Sequence, residues 1–449
     1  MTKRLRVTAL LMLALLTGCA PPVGRRQIKS DASSNKSGAT NDERAEDVRA
    51  VRVSKDGLNA AEPAIAAAPD GAIYVAWVAH GAGKGADVWV TRFDAEGKQA
   101  VEPARVNQTP GEATAWRGDA PSVAVTPDGT ICVAWTARAG EGGHAATTLY
   151  VSTSRDGGMS FGAPVRVNDD AGEGVHGMHS LAVGRDSRIH VAWLDERDLT
   201  PPSTAKPTAP TGSMKPDENM NASKASGGMH GEQNREVFYA SSSDAGRTFS
   251  RNRRVATEAC PCCKTALAVG ADGRVYLGWR QVLPGDFRHV AVASSNDGGA
   301  TFSAPNVVSD DRWELKGCPV SGPSLVAGDE NALRVLWYTA GEAGAEGLYI
   351  SESRDGGRTF TPRRAVMEGG VRGTPALVAD GHGGFVALFE GTGEASSPAL
   401  LESRLDATMR AAGGAARILT GEVPTATMHD GRLYAAYVSR DGVWMVKVV

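Results

Sequence analysis

The sequence predicts an all-β chain, a β-propeller of four-stranded blades with seven blades arranged in a ring. Three observations carry that expectation. A unit of two short alternating runs separated by a turn recurs seven times between residues 58 and 438. A Ser-x-Asp-x-Gly-x-x-Phe turn follows four of those units. The last unit stops after its third run, "GVWMVKVV", while "VRAVRVS" at 48–54 is an outer run with no unit of its own. Pairing these two closes the ring and removes both sheet edges.

The units align on Pro63, Pro121, His179, Thr265, Pro323, Pro375 and Pro424. They end on Trp77, Trp135, Trp193, Trp279, Trp337, Phe389 and Tyr437, a spacing of 14 in six of them and 13 in the last. "APSVAVTPDGTICVAW" is representative: alternation, an Asp-Gly turn, alternation. Period-2 patterning around such a turn predicts a hairpin with one face inward. A third strand follows, then the serine–aspartate turn, then an outer strand such as "APVRVND" or "NRRVATE". A repeat at this period is the mark of a propeller or solenoid.

The four turns begin at Ser154, Ser242, Ser295 and Ser353, with Asp156, Asp244, Asp297 and Asp355 two residues on. They resemble the Asp boxes of the sialidase (BNR-repeat) superfamily, over residues 48–449. The aspartates can accept turn N–H groups, and the glycine two residues beyond each can take a left-handed conformation. They read as turn builders. Familiar sialidase domains have six blades, so six is the alternative count. The resemblance also implies an arginine triad, a Tyr–Glu nucleophile pair and an Asp acid/base. The Arg-Ile-Pro motif is missing, with Ala60-Ala61-Glu62-Pro63 in its place. Arg117, Arg280 and Arg372, with Asp119, Glu390 and Tyr338, lie near strand ends, but none maps onto the triad.

The chain opens with a basic start and an apolar run from Val7 to Leu16, too short to cross a bilayer. Leu16-Thr17-Gly18-Cys19 resembles a bacterial lipobox. The expectation is therefore a signal peptide over 1–18 and lipidation at Cys19. The lipid would be the membrane attachment in the cell envelope, and Ala20 after the cysteine resembles the outer-membrane-sorted type. Residues 19–47 hold almost no large apolar side chains and read as a flexible tether. A net charge of −3 without a basic block excludes nucleic acid as a natural partner.

"TEACPCCKTAL" concentrates Cys260, Cys262 and Cys263, half of the six cysteines, directly before the fourth inner strand. In a propeller that position lies at the channel mouth. Cys318 precedes the fifth inner strand, and "GVHGMHS" brings His176, Met178 and His179 to the third. Thiolate, thioether and imidazole suit copper, especially Cu(I), or zinc. An insert after Trp193, carrying Met214, Met220, Met229 and His230, belongs to the same face by topology. His80 and His144 point to that face on other blades. Asp195, Glu196 and Asp198 are either a hydrated rim or a carboxylate supplement to the metal.

Disulfides are the competing use, because an exported chain folds where they form. Adjacent Cys262 and Cys263 would be strained as a pair, whereas a bridge from the trio to Cys318 is geometrically reasonable. Cys132 reads as a buried strand residue. Three functions follow: a soft-metal binder using Cys260, Cys262, Cys263, Cys318, His176 and His179; a glycan-binding protein or exo-glycosidase; and a disulfide-braced interaction scaffold.

Overall fold

The computed structural model describes residues 50–81, 85–114, 118–139, 146–171, 174–199, 233–315, 319–392, 397–440 and 442–448. The expected leader, Cys19 and the tether lie outside them, as do Arg117, His144, Cys318 and the methionine-bearing insert. The described chain is all-β, and no helix in it is long and apolar enough to cross a membrane.

Among the described residues, antiparallel pairing defines four-strand groups in chain order. The first contains β2 (Asn59–Ala67), β3 (Ile73–His80), β4 (Gly85–Phe93) and β5 (Ala104–Arg105). After the short β6 (Ala113–Thr114) come β7 (Ser122–Val125), β8 (Ile131–Ala139), β9 (Ala146–Ser154) and β10 (Val165–Arg166). The third contains β11 (His176–Val183), β12 (Ile189–Asp195), β13 (Arg235–Ser242) and β14 (Arg253–Ala259). The fourth contains β15 (Ala266–Val269), β16 (Val275–Leu283), β17 (Phe287–Ser295) and β18 (Asn306–Val307).

The fifth contains β19 (Ser324–Ala327), β20 (Leu333–Thr339), β21 (Gly347–Ser353) and β22 (Arg364–Glu368). The sixth contains β23 (Val371–Ala379), β24 (Phe385–Thr392), β25 (Pro398–Leu405) and β26 (Ala416–Thr420). Last come β27 (Glu422–His429), β28 (Arg432–Ser439) and β29 (Gly442–Val448). Their fourth strand is β1 (Ala50–Arg52), with Ala50 opposite Val446 and Arg52 opposite Trp444. First strands lie against first strands: β2 touches β7, β7 touches β11, and so on to β27, which touches β2.

The sequence treats each group as separate, but two connectors also pair with a neighbour. β6 joins β4 to β8, and Ala259 at the end of β14 pairs with Gln281 of β16. The second link holds the cysteine loop against the fourth group.

The repeated aromatics fill the space between groups. Trp77, Trp135, Trp193, Trp279 and Trp337 are fully buried, and each indole N–H has an acceptor. Thr91 and Ser152 hydroxyls serve the first two at 3.1 Å; Asp195, Gln281 and Asp311 serve the others at 2.7 Å. A large ring can be buried without penalty only if its polar atom is matched this way.

The serine–aspartate turns are built as their residue types require. Asp297 accepts the Ser295 hydroxyl at 2.7 Å, the Thr301 N–H at 2.9 Å and the Thr301 hydroxyl at 2.6 Å. Asp156, Asp244 and Asp355 repeat the pattern with Ser154, Ser242 and Ser353. Hydrogen bonds, led by the hydroxyl four residues on, hold Asp156, Asp244 and Asp297 down at about 2. Gly299 takes φ +88°, and a β-carbon there would sit 2.0 Å from the Tyr239 hydroxyl of the neighbouring group. Every carboxylate is occupied by its own turn, so these aspartates shape the fold and leave no group for catalysis.

Candidate metal centre

The cysteine loop follows β14 and precedes β15. Its conformation is fixed at both ends. The Cys260 N–H donates to the Arg280 carbonyl at 2.8 Å, and the Thr265 N–H donates to the Met178 carbonyl at 2.9 Å. Between them, Arg235 donates to the Pro261 carbonyl at 2.8 Å and is itself held by Glu196 at 2.7 Å. The loop is thus tied to both the third and the fourth groups.

This anchoring brings three sulfur atoms together. Cys260, Cys262 and Cys263 are all buried, with their Sγ atoms within 4.8 Å of one another. The Cys260 and Cys263 sulfurs are 3.6 Å apart and carry thiols. Cys262 is in a disulfide. The bridge expected to compete with metal binding is thus present at one of the three positions. In that state the Cys262 sulfur is no thiolate ligand. The walls are apolar: Met178, Leu194, Val237, Leu277 and Trp279 share one buried cluster with the trio.

Two guanidinium groups penetrate this apolar shell. Arg280 is 1 % exposed and donates only to backbone carbonyls among its oxygen partners: Ser321 at 3.0 Å, Tyr338 at 2.9 Å and Arg288 at 3.3 Å. Trp313 lies 5.0 Å from it as a cation–π partner. Arg288, 7 % exposed, donates to the Leu315 carbonyl at 3.2 Å and leaves a buried nitrogen without a hydrogen-bond partner. Neither arginine forms a salt bridge with a carboxylate of the described residues. Carbonyl groups and the Trp313 ring thus carry much of the Arg280 charge, and the same guanidinium reaches Cys263 by a side-chain hydrogen bond.

The thiol chemistry follows that charge. Burial drives the Cys263 thiol up. The hydrogen bond with Cys260, the Arg280 guanidinium and the Ser321 backbone outweigh it and hold Cys263 down at about 7. Cys260 is pushed far up, first by its hydrogen bond to Cys263 and then by burial. The pair thus surrenders one proton near neutrality and retains the second, as two coupled acids do.

The histidines do not join the sulfur group. His176 places Nδ1 on the Thr147 carbonyl, and Nε2 lies 3.2 Å from Asp170 and 3.6 Å from Asp195. His179 contacts the Ala134 carbonyl at 3.0 Å and faces Asp119 at 3.4 Å. A bulge between Gly177 and Ser180, with Met178 at φ 53°, interrupts the alternation assumed from sequence. The neighbouring acids are ion-paired: Asp195 with Arg197 at 2.8 Å, Glu196 with Arg235 at 2.7 Å and Asp198 with Arg254 at 3.5 Å. His80 is likewise engaged, 2.5 Å from Glu62. Cys132 is buried in β8, its thiol pushed up to about 12 by burial.

Sequence reasoning placed Arg280 near a strand end but gave it no role beside the cysteines, and it passed over Arg288. A signal was present: after the conserved-position aromatic of each unit stand Val78, Thr136, Leu194, Tyr338, Glu390 and Val438, and only the fourth unit has arginine. It also read Cys-x-Cys-Cys as a trio without separating Cys260 and Cys263, the two that the turn brings to 3.6 Å.

A second feature on the strand-end side is a cavity of about 420 Å³ lined by Pro319, Tyr338, Glu346, Val371, Arg372 and Thr392. The Tyr338 hydroxyl donates to Glu346 at 2.6 Å. Burial, reinforced by that carboxylate, pushes the Tyr338 phenol up. Burial likewise raises Glu390, which stands opposite Arg372 in the β23–β24 register.

No family model and no curated protein matches the sequence. Solved structures do. A Hadza microbial sialidase is 18 % identical over 77 % of this chain and 66 % of its own length, with a TM-score of 0.50. The chain spans just under two thirds of that enzyme. A protein of unknown function from Dyadobacter fermentans is 14 % identical, covers 89 % of this chain and 98 % of its own, and has a TM-score of 0.49. Penicillium chrysogenum alpha-L-arabinanase, complexed with arabinobiose, is 12 % identical over 73 % and 92 %, with a TM-score of 0.47. The likeness to the sialidase is one of fold, which by itself assigns no activity. The resemblance expected from the serine–aspartate turns therefore holds at the level of architecture: the fold is a sialidase-like β-propeller.

Proposed function

We propose that this protein is a seven-bladed propeller, lipid-anchored through Cys19 in the bacterial envelope, that binds Cu(I) at its mouth. Seven four-strand groups among the described residues, with first strands touching from β2 round to β27 and back, support the blade count and the closed ring. The observation that carries the copper reading is a buried three-sulfur cluster beside two arginines without carboxylate partners. A metal centred ~2.3 Å from three sulfurs needs them about 4.0 Å apart. The observed 3.6 Å for one pair, and 4.8 Å as the limit for all three, bracket that spacing. Charge selects the ion. With the Cys260 and Cys263 thiolates, Cu(I) makes a complex of charge −1 beside the two guanidinium groups, whereas Zn(II) makes a neutral one and leaves both uncompensated.

The test is metal analysis of the full chain, exported and purified in detergent with copper and zinc supplied. Near-stoichiometric copper, lost in Cys260→Ser/Cys263→Ser, is expected. No copper above that variant would refute the reading.

A second reading rests on the Tyr338–Glu346 pair in its cavity beside Arg372. A phenol hydrogen-bonded to a carboxylate near an arginine fits a glycan carrying an acid group, and the named activity of the sialidase neighbour gives that class. Hydrolysis of a sialoside, abolished by Tyr338→Phe and insensitive to the cysteine variant, would establish it.

A further inference from the structure

A cavity of about 350 Å³ opens at the hairpin-turn ends of the first strands, away from the cysteine loop. It lies among the ends of β27, β2, β7 and β11, four first strands that touch in turn. Most of its wall is apolar. Ala67, Val125, Val183 and Met428 each come from a different strand, with Pro69 and Pro127 beside them. Two residues break that character, Arg185 and His429. We propose that this cavity binds a small organic carboxylate, with Arg185 on the acid group and the apolar wall around its body.

The repeat sets the arginine apart. The sixth residue after the alignment position is Pro69, Pro127, Arg185, Ala271, Asp329 or Gly381, and the fifth in the shorter last unit is His429. Proline, alanine and glycine serve the turn here, so the turn itself needs no charge. Arg185 is the one permanent cation of the seven. Asp329, the one carboxylate, is no part of the cavity wall.

The arginine is also unpaired. Its neighbour Asp186 lies 3.6 Å from Arg188, and Asp430 lies 3.4 Å from His429. Arg185 itself is exposed on its turn and forms no salt bridge with a carboxylate of the described residues. His429 reaches over the turn of the first group, where a β-carbon on Gly71 would stand 3.0 Å from its Nε2. The two basic side chains thus come from the two ends of the four-strand series, β11 and β27, with the apolar wall between them.

Chemistry and size then narrow the ligand. A guanidinium presents two parallel N–H groups that match the two oxygens of a carboxylate. A bare anion would leave the apolar wall facing water, whereas an apolar body covers it. At ~30 Å³ for each water displaced, the cavity holds a body of roughly ten non-hydrogen atoms. A concave, largely apolar site with few placed polar groups is the usual form for such a molecule. The inference is independent of the copper reading, because no cysteine of the sulfur cluster lines the cavity.

The full chain in detergent is titrated with 4-fluorobenzoate, a carboxylate of about that size, and fluorine NMR follows its shift and line width against detergent alone. 4-Fluorobenzamide, uncharged and of the same shape, is the comparison. Saturable binding of the benzoate is expected, with the amide weaker by roughly 10- to 100-fold, the scale of one charge-assisted hydrogen-bonded pair. Arg185→Met should lose the same factor and Arg185→Lys a smaller one, since the charge stays and the fork goes. An unchanged near-ultraviolet tryptophan spectrum reports the fold of each variant, and the benzoate–benzamide comparison on the wild type decides without them. Equal binding of the two probes, or undiminished benzoate binding by a folded Arg185→Met protein, overturns the role of the arginine. Inorganic phosphate that displaces the probe as well as unlabelled benzoate does overturns the need for an apolar body. No binding of 4-fluorobenzoate at millimolar concentration overturns the site.

Discussion

Replacing Arg280 with methionine removes the charge from the sulfur site while keeping an unbranched side chain. The size of the effect follows from the Cys263 environment. Its thiol is held down at about 7 although burial opposes ionisation, a net stabilisation of the thiolate of roughly 3 kcal/mol. Burial opposes that shift, so the stabilising groups together supply more than the net figure. Without Arg280, burial is resisted only by Cys260 and the Ser321 backbone, and the thiol should return to 9 or above. At pH 7 the thiolate fraction should then fall by more than roughly tenfold, the scale of a shift of one unit or more. Thiolate absorbance at 240 nm across a pH series reads this directly, and the rate of reaction with methyl methanethiosulfonate reads it independently. The sign also fixes the stability profile. A group whose folded value is depressed contributes stability that is full above 9 and lost as the pH falls through 7. The variant should flatten that dependence. A thiol still titrating near 7 in a folded Arg280→Met protein would refute the assignment of Arg280 as the thiolate's counter-ion.

Other consequences are equally measurable. His190 is held down at about 4 by burial, so the folded state resists its protonation; stability should decline as the pH falls from 6.5 towards 4, costing about 2 kcal/mol at pH 5. In urea titrations, His190→Gln should lose that component, and an unchanged pH slope would count against it. Gly299→Ala puts a β-carbon 2.0 Å from the Tyr239 hydroxyl at φ +88°, whereas Gly273→Ala at φ +81° meets nothing within 4 Å. The first should lower unfolding free energy by about 2–5 kcal/mol and the second by about 1–2 kcal/mol, since both bear the left-handed strain and only one the overlap. Cys132→Ala should leave copper stoichiometry intact and cost only about 1 kcal/mol, because its sulfur lies in a strand away from the trio.

The architecture was legible because it rests on period and repetition. Alternation around Asp70-Gly71, Asp128-Gly129 and Asp272-Gly273 specifies hairpins without reference to distant residues, and the four serine–aspartate turns satisfy themselves locally. The β1–β29 pairing was legible for a different reason: an outer strand without a unit and a unit without an outer strand complete one another. The site was only half legible. Chain proximity delivered Cys260, Cys262 and Cys263 together. The expected histidine ligands depended on side-chain direction across a bulged strand, and the Met178 bulge is not encoded in any alternation. Arg280 and Arg288 depended on which face of β16 and β17 meets the cysteine loop, a tertiary fact that propensity does not carry.

The pairing of β1 with β29 also sets a clock on maturation. Ala50 and Val446 cannot meet until nearly the whole described chain has been synthesised. Through that interval the apolar row of Val443, Met445, Val446 and Val448 has an unfilled edge, and so does β1. An edge left open during synthesis invites the equivalent strand of another molecule, and strand exchange between chains competes with pairing inside one. Closure across such a span is slow because it joins the most distant contacts last. The three residues Ala50–Arg52 therefore act as a latch that completes the last four-strand group only when both ends of the described chain are present.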